Sequence, residues 1–90
     1  GGLKKSDLAF LKRLLKFCEE TLDLMEINAI EDGCKEFQEE ISDTHFSELS
    51  IWFSALENDT KLFKIDEIEE KVKSGMPIIK ETIESINKKP

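Results

Sequence analysis

An all-α fold, a compact antiparallel four-helix bundle, is what this sequence predicts, and three observations carry it. Apolar residues return every three or four positions through most of the chain. No segment alternates with period two for long enough to make a strand, and no internal repeat is visible. Turn signals divide the periodic stretches into four, which implies helices packed on helices around a single core. With 90 residues there is one core, burying about 60–65% of the unfolded surface. Residues 6–88 are the expected helical-bundle domain. Residues 1–5, opening on Gly1-Gly2, read as a disordered linker or remnant, and the start at Leu3 without a Met suggests a domain of a larger protein.

The clearest helix is expected over 7–26. At 100° per residue, Phe10, Leu11, Leu14, Leu15, Phe17, Cys18, Leu22, Leu24 and Met25 occupy one half of the wheel. Lys12, Arg13, Lys16, Glu19, Glu20, Asp23 and Glu26 occupy the other. Ser6 or Asp7 is the expected cap. An arc that wide needs at least two neighbouring helices.

The segment Asn28 to Glu39 admits two readings. It half matches a calcium loop, with Asn first, Gly33 sixth and Glu39 twelfth. Yet Ile30 stands where an oxygen donor is needed, and Lys35 would repel the ion. Ile27, Ile30, Cys34, Phe37 and Ile41 recur at spacings of 3, 4, 3 and 4, a helical stripe through the supposed loop. A helix over 29–42 is therefore expected, opened by a capping box of Asn28 and Glu31. Glu57 to Glu67 resembles a shortened calcium loop, but it lacks the central glycine and has Lys61 at a ligand position.

Ser42-Asp43-Thr44 marks the start of a third helix, about 44–57, with Phe46, Leu49, Trp52, Phe53 and Leu56 inward and Asn58-Asp59-Thr60 as its end. Ile51 and Ala55 widen its apolar face beyond what a core requires. Ile65, Ile68 and Val72 stripe a fourth helix. Lys71, Lys73, Gly75 and Pro77 then make a dense set of stop signals. Pro77 also suits the first turn of a new helix carrying Ile78, Ile79, Ile83 and Ile86. The last helix is therefore expected to be broken or kinked near Gly75-Pro77, with two short helices, five in all, the favoured form.

Net charge is −7, unevenly spread: +4 over residues 1–17, −10 over 18–50 and −1 over 51–90. Such an acidic middle repels phosphate backbones and argues against nucleic acid. No apolar run approaches the length of a membrane span. Cys18 and Cys34 sit in apolar stripes and read as free buried thiols, which makes the cytoplasm the default compartment.

Chemistry is sparse. His45 is the single histidine, expected as a partly exposed surface residue in the first turn of the third helix. It has no nucleophile placed beside it, and it lacks the Lys-Gly context of a phosphotransfer histidine. Cys18, Cys34 and His45 are spaced too widely for zinc. No Glu-x-x-His motif or phosphate-binding glycine loop is present. No cofactor, metal or catalytic residue is expected, and the chain is read as non-enzymatic.

The expected function is a protein–protein interaction or regulatory domain, of signalling or adaptor type. Its candidate contact residues are an apolar flank of Ile51, Trp52 and Ala55 and the acidic side chains Glu19, Glu20, Asp23, Glu36 and Glu40. The partner would be a basic protein or one presenting an amphipathic helix. The alternatives are a homodimer burying surplus apolar surface and a degenerate EF-hand-like or phosphotransfer-like signalling module.

Overall fold

In a computed structural model describing residues 4–88, the chain forms four α-helices and one 3-10 turn. They are α1 (Lys5–Leu24), α2 (Ile27–Glu40), the turn Ile41–Asp43, α3 (Leu49–Lys61) and α4 (Ile65–Lys88). No strand occurs among the described residues. Residues 1–3 of the expected linker lie outside them, while Lys5 belongs to α1.

Helix α1 starts where the Asp7 carboxylate reaches back one turn and accepts the Lys4 N–H at 2.8 Å. Of the two expected caps, Asp7 therefore acts, from the third helical position rather than ahead of the helix. Phe10, Leu11, Leu14, Cys18 and Thr21 form its buried stripe. The helix stops at Met25, left-handed at φ 45°, whose N–H returns to the Thr21 carbonyl at 2.9 Å. Leu24, expected on the apolar half, is 69% exposed.

Helix α2 runs through the whole of the segment that half matches a calcium loop, as the 3–4 spacing requires. It opens two residues earlier than expected. Glu26, not Asn28, is the cap: its carboxylate accepts the Ala29 N–H at 2.9 Å, so the Asn28–Glu31 box is not used. Ile30, Cys34, Phe37 and Ile41 are buried.

The third helix departs furthest from expectation, beginning at Leu49 instead of 44. The Thr44 hydroxyl donates to the Ile41 carbonyl (2.9 Å) and accepts the Phe46 N–H (3.1 Å). Those bonds hold 44–46 in a non-helical connection. At its other end α3 passes through Asn58-Asp59-Thr60, the expected terminator. Asp59 and Thr60 are buried, with Asp59 bound to Lys71 at 2.6 Å and the Thr60 hydroxyl donating to the Glu57 carbonyl at 2.5 Å. The helix ends in a double reverse bond, Lys64 N–H to the Asp59 carbonyl (2.9 Å) and Phe63 N–H to the Thr60 carbonyl (3.2 Å). This is a Schellman closure with Phe63, φ 55°, where glycine usually stands.

Helix α4 corrects the expected break. It is one helix of 24 residues with Pro77 inside it. Gly75 has no positive φ, so it never forms the left-handed stop that ends a helix. Pro77 deprives the Lys73 carbonyl of its partner. However, Ile68, Val72 and Ile79 are buried on one face, and Met76, Ile83 and Ile86 pack beside them. A break would take half of that stripe off the core.

Helix α1 packs along α4, α2 along α3, and α3 against α4. Phe37 is buried in the core, edge-on to Phe10 at 5.5 Å and stacked on Phe53 at 5.5 Å. Trp52 faces Gly75 while Asp59 bonds Lys71, so α3 and α4 run antiparallel. His45 on Asp7 puts the α2–α3 connection beside the start of α1. The α1–α2 and α3–α4 turns therefore share the opposite end.

Candidate interaction surface

The site grows from the α3–α4 contact. Trp52 is half-buried, its ring edge-on to Phe53 at 5.1 Å and 74°. Helix α4 offers Gly75 to the indole, where an added Cβ would lie 3.5 Å from the ring. The result is an open groove of about 340 Å³ lined by Trp52 and by Glu67, Glu70, Lys71, Ser74, Gly75 and Ile78 of α4. Ile78 is 64% exposed and Ile51, next to Trp52 in sequence, is 77% exposed. Ala55 is half-buried. A shallower trench of about 460 Å³ shares Glu70 and Ser74 with the groove and adds Asp66, Glu69 and Lys73.

The cations beside the groove are occupied. The Lys71 ammonium sits 2.6 Å from Asp59 and 3.8 Å from Glu67. The hydrogen bond to Asp59 raises the Lys71 pKa above its ordinary value, so it stays charged and is already neutralised. Lys73 pairs with Glu69 at 3.0 Å. Among the described residues, Asp66 and Glu70 have no ion-pair partner within 4.0 Å.

The acidic candidates lie elsewhere. Glu19, Glu20 and Asp23 are exposed on α1, and Glu36 is exposed on α2. Glu20 and Glu36 line an α1–α2 groove of about 540 Å³ that also holds Arg13, Lys16 and Phe17. That groove shares no lining residue with the one beside Trp52. Glu40 is committed: both its oxygens accept from Arg13 at 2.7 Å, which lowers its pKa, while the guanidinium lies 5.4 Å over the Phe37 ring. The Trp52 flank and the acidic residues named from sequence are thus not one surface. The carboxylates beside Trp52 are Glu67 and Glu70, which sequence reasoning missed. Their signal is the spacing 67, 70, 74, 78, visible only if α4 is taken as unbroken.

His45 lies in the connection before α3, not in its first turn. Its ring is 44% exposed, and its Nδ1 is 2.5 Å from the carboxylate of the buried Asp7. Burial pushes the Asp7 carboxyl up. Hydrogen bonds from the Lys4 N–H, the His45 ring and the His45 N–H outweigh that and hold its pKa below the ordinary value. Among the described residues no hydroxyl or thiol hydrogen-bonds the His45 ring. Cys18 and Cys34 are free and buried, and burial pushes both thiols up to about 12. No group of three or more His, Cys, Asp or Glu among the described residues is arranged to hold a metal.

Further exposed apolar side chains, unforeseen from sequence, lie at the end that carries the two turns. Leu24, Leu62, Phe63 and Ile65 are exposed there. No helix among the described residues is long and apolar enough to cross a membrane. Compared with known protein families, curated proteins and solved structures, the chain matches none.

Proposed function

We propose that this chain is a non-enzymatic protein-docking domain, an antiparallel four-helix bundle serving as a regulatory or adaptor module of a larger cytoplasmic protein. The observation that carries this reading is Trp52, a half-buried indole at an open groove that the exposed Ile78 also lines. Binding hot spots are enriched in tryptophan, which a partner desolvates fully on docking. Isolated exposed aliphatics are ordinary, whereas Trp52 and Ile78 line one groove. Trp52→Ala should abolish binding of a partner retained by the wild type while leaving the helical circular dichroism unchanged, since Trp52 lies outside the fully buried core. Retention of the partner by Trp52→Ala, with Glu19→Gln or Asp23→Gln releasing it, would move the docking surface to α1 and refute this reading.

Self-association is a second reading, favoured by the exposed Leu24, Leu62, Phe63 and Ile65 at the turn end. A stable dimer buries about 800 Å² per partner, roughly 20–30 residues a side, and these four side chains are a small part of that. An end-to-end pair is therefore weak. Sedimentation should show a 10.4 kDa monomer at micromolar concentration, with a dimer only well above it.

A further inference from the structure

We propose that the occupant of the α3–α4 groove is a basic amphipathic helix, its apolar face on Trp52 and Ile78 and its cationic end over Glu67 and Glu70. This rests on the docking reading above and adds the chemistry of the partner. The α4 residues lining the groove run from Glu67 to Ile78 at alternating steps of three and one. They form one helix face about 16 Å long, the length of three helical turns.

The groove is graded along that length. Its carboxylates lie toward the start of α4, and Gly75, Trp52 and Ile78 lie toward the middle. Lys71 stands between them, but Asp59 at 2.6 Å already neutralises it, and Glu69 does the same for Lys73 at 3.0 Å. What reaches the occupant is therefore negative: Glu70, Glu67 and, just beyond, Asp66. An acidic segment or a phosphate backbone is repelled there, and a Lys- or Arg-bearing one is steered in.

The shape argues for a helix. The walls are two helices, so no strand edge lines the groove to pair with an extended peptide. Gly75 lines the groove beside the indole with no side chain of its own. Apolar anchors at i, i+4 and i+7 on a second helix match a trough of this length.

Trp52 is the one tryptophan in the chain, so its emission reports this groove alone. The probes are two synthetic fourteen-residue helix-forming peptides with the same three leucines. One carries lysines at the flanking positions and the other carries glutamates there. The lysine peptide should shift Trp52 emission to the blue and saturate, with the glutamate peptide binding at least tenfold more weakly.

Glu67→Gln/Glu70→Gln should weaken the lysine peptide about fivefold, the effect of two partly exposed pairs. Glu36→Gln/Glu39→Gln, the same loss of charge on α2, should weaken it less than twofold. Equal losses in the two double variants would mean diffuse attraction and would overturn the proposal. Equal binding of both peptides with a Trp52 shift would keep the docking reading and discard the basic partner. No Trp52 response to either peptide would also refute the basic helix, with the docking reading then standing or falling on Trp52→Ala.

Discussion

The two mid-helix glycines offer a sharp test of the packing, because the same substitution has different consequences at each. Gly33 in α2 and Gly75 in α4 both have ordinary helical backbone, neither with a positive φ. Alanine at either position should therefore gain about 1 kcal/mol of helix propensity. At 75 nothing opposes the gain. The new Cβ would lie 3.5 Å from Trp52 Cζ2 and 3.7 Å from Cε2 and Nε1, all within favourable van der Waals range. For a domain of this size a gain of ~1 kcal/mol raises Tm by roughly 4–8 °C.

At 33 the Cβ would overlap the Phe17 ring. Phe17 must then swing away from Phe37, against which it packs at 5.3 Å, forfeiting about 0.5–1.5 kcal/mol of aromatic contact together with the apolar burial of the ring. Gly33→Ala should therefore leave Tm unchanged or lower it. Thermal unfolding followed by far-ultraviolet circular dichroism, with urea melts to confirm an unchanged m-value, separates the two. Equal upward shifts, or a fall in Tm for Gly75→Ala, would refute the geometry assigned to these grooves.

Three further outcomes are expected. Phe63→Gly relieves a left-handed, 72% exposed phenylalanine at a position suited to glycine and should stabilise by up to ~1 kcal/mol; a destabilisation in urea melts would show that Phe63 packs in solution. The Asp7 pKa is depressed in the folded state, so its contribution is complete above its ordinary value of 3.8 and is lost as pH falls further. The stability gap between wild type and Asp7→Asn should therefore hold near pH 5 and close below that value, and a gap that widens on acidification contradicts the assignment. With both thiols buried and pushed up to about 12, Cys18 and Cys34 should resist iodoacetamide at pH 8 and label only in step with urea unfolding; rapid labelling of the native protein would contradict their burial.

The apolar stripes were legible because periodicity is a property of the whole segment. Ile30, Cys34 and Phe37 keep facing one way wherever α2 is taken to begin, and that alone disposes of the calcium-loop reading. Boundaries were less legible because they depend on single side chains with several options. Thr44 looked like a helix start and instead bonds backward to Ile41. Asn28 looked like a cap, but Glu26 is the one placed to accept the Ala29 N–H. Asp7 looked like a local cap and is that, but it also receives His45 from 38 residues away, a contact no local pattern announces. The exposure of Leu62 and Phe63 was equally hidden, since it follows from where the α3–α4 turn falls at the end of the molecule.

The misplaced break in α4 had the largest consequence, and its energetics explain why. A proline inside a helix costs about 3 kcal/mol, which makes Gly75-Met76-Pro77 a persuasive terminator when only local terms are counted. Beyond it, however, Ile79 is buried and Ile83 and Ile86 pack partly against the core. Each such side chain contributes up to about 1.5–3 kcal/mol when fully buried, so even partial burial of three matches or exceeds the cost of the proline. Continuity then does more than stabilise. It keeps Glu67, Glu70, Ser74 and Ile78 in phase on one face and brings Gly75 opposite Trp52. A break at 75 would leave the carboxylates and the isoleucine on separate helices with no common groove. The candidate docking surface therefore exists because tertiary burial overrides a local stop signal, and the residue that looked most like an ending lies at its centre.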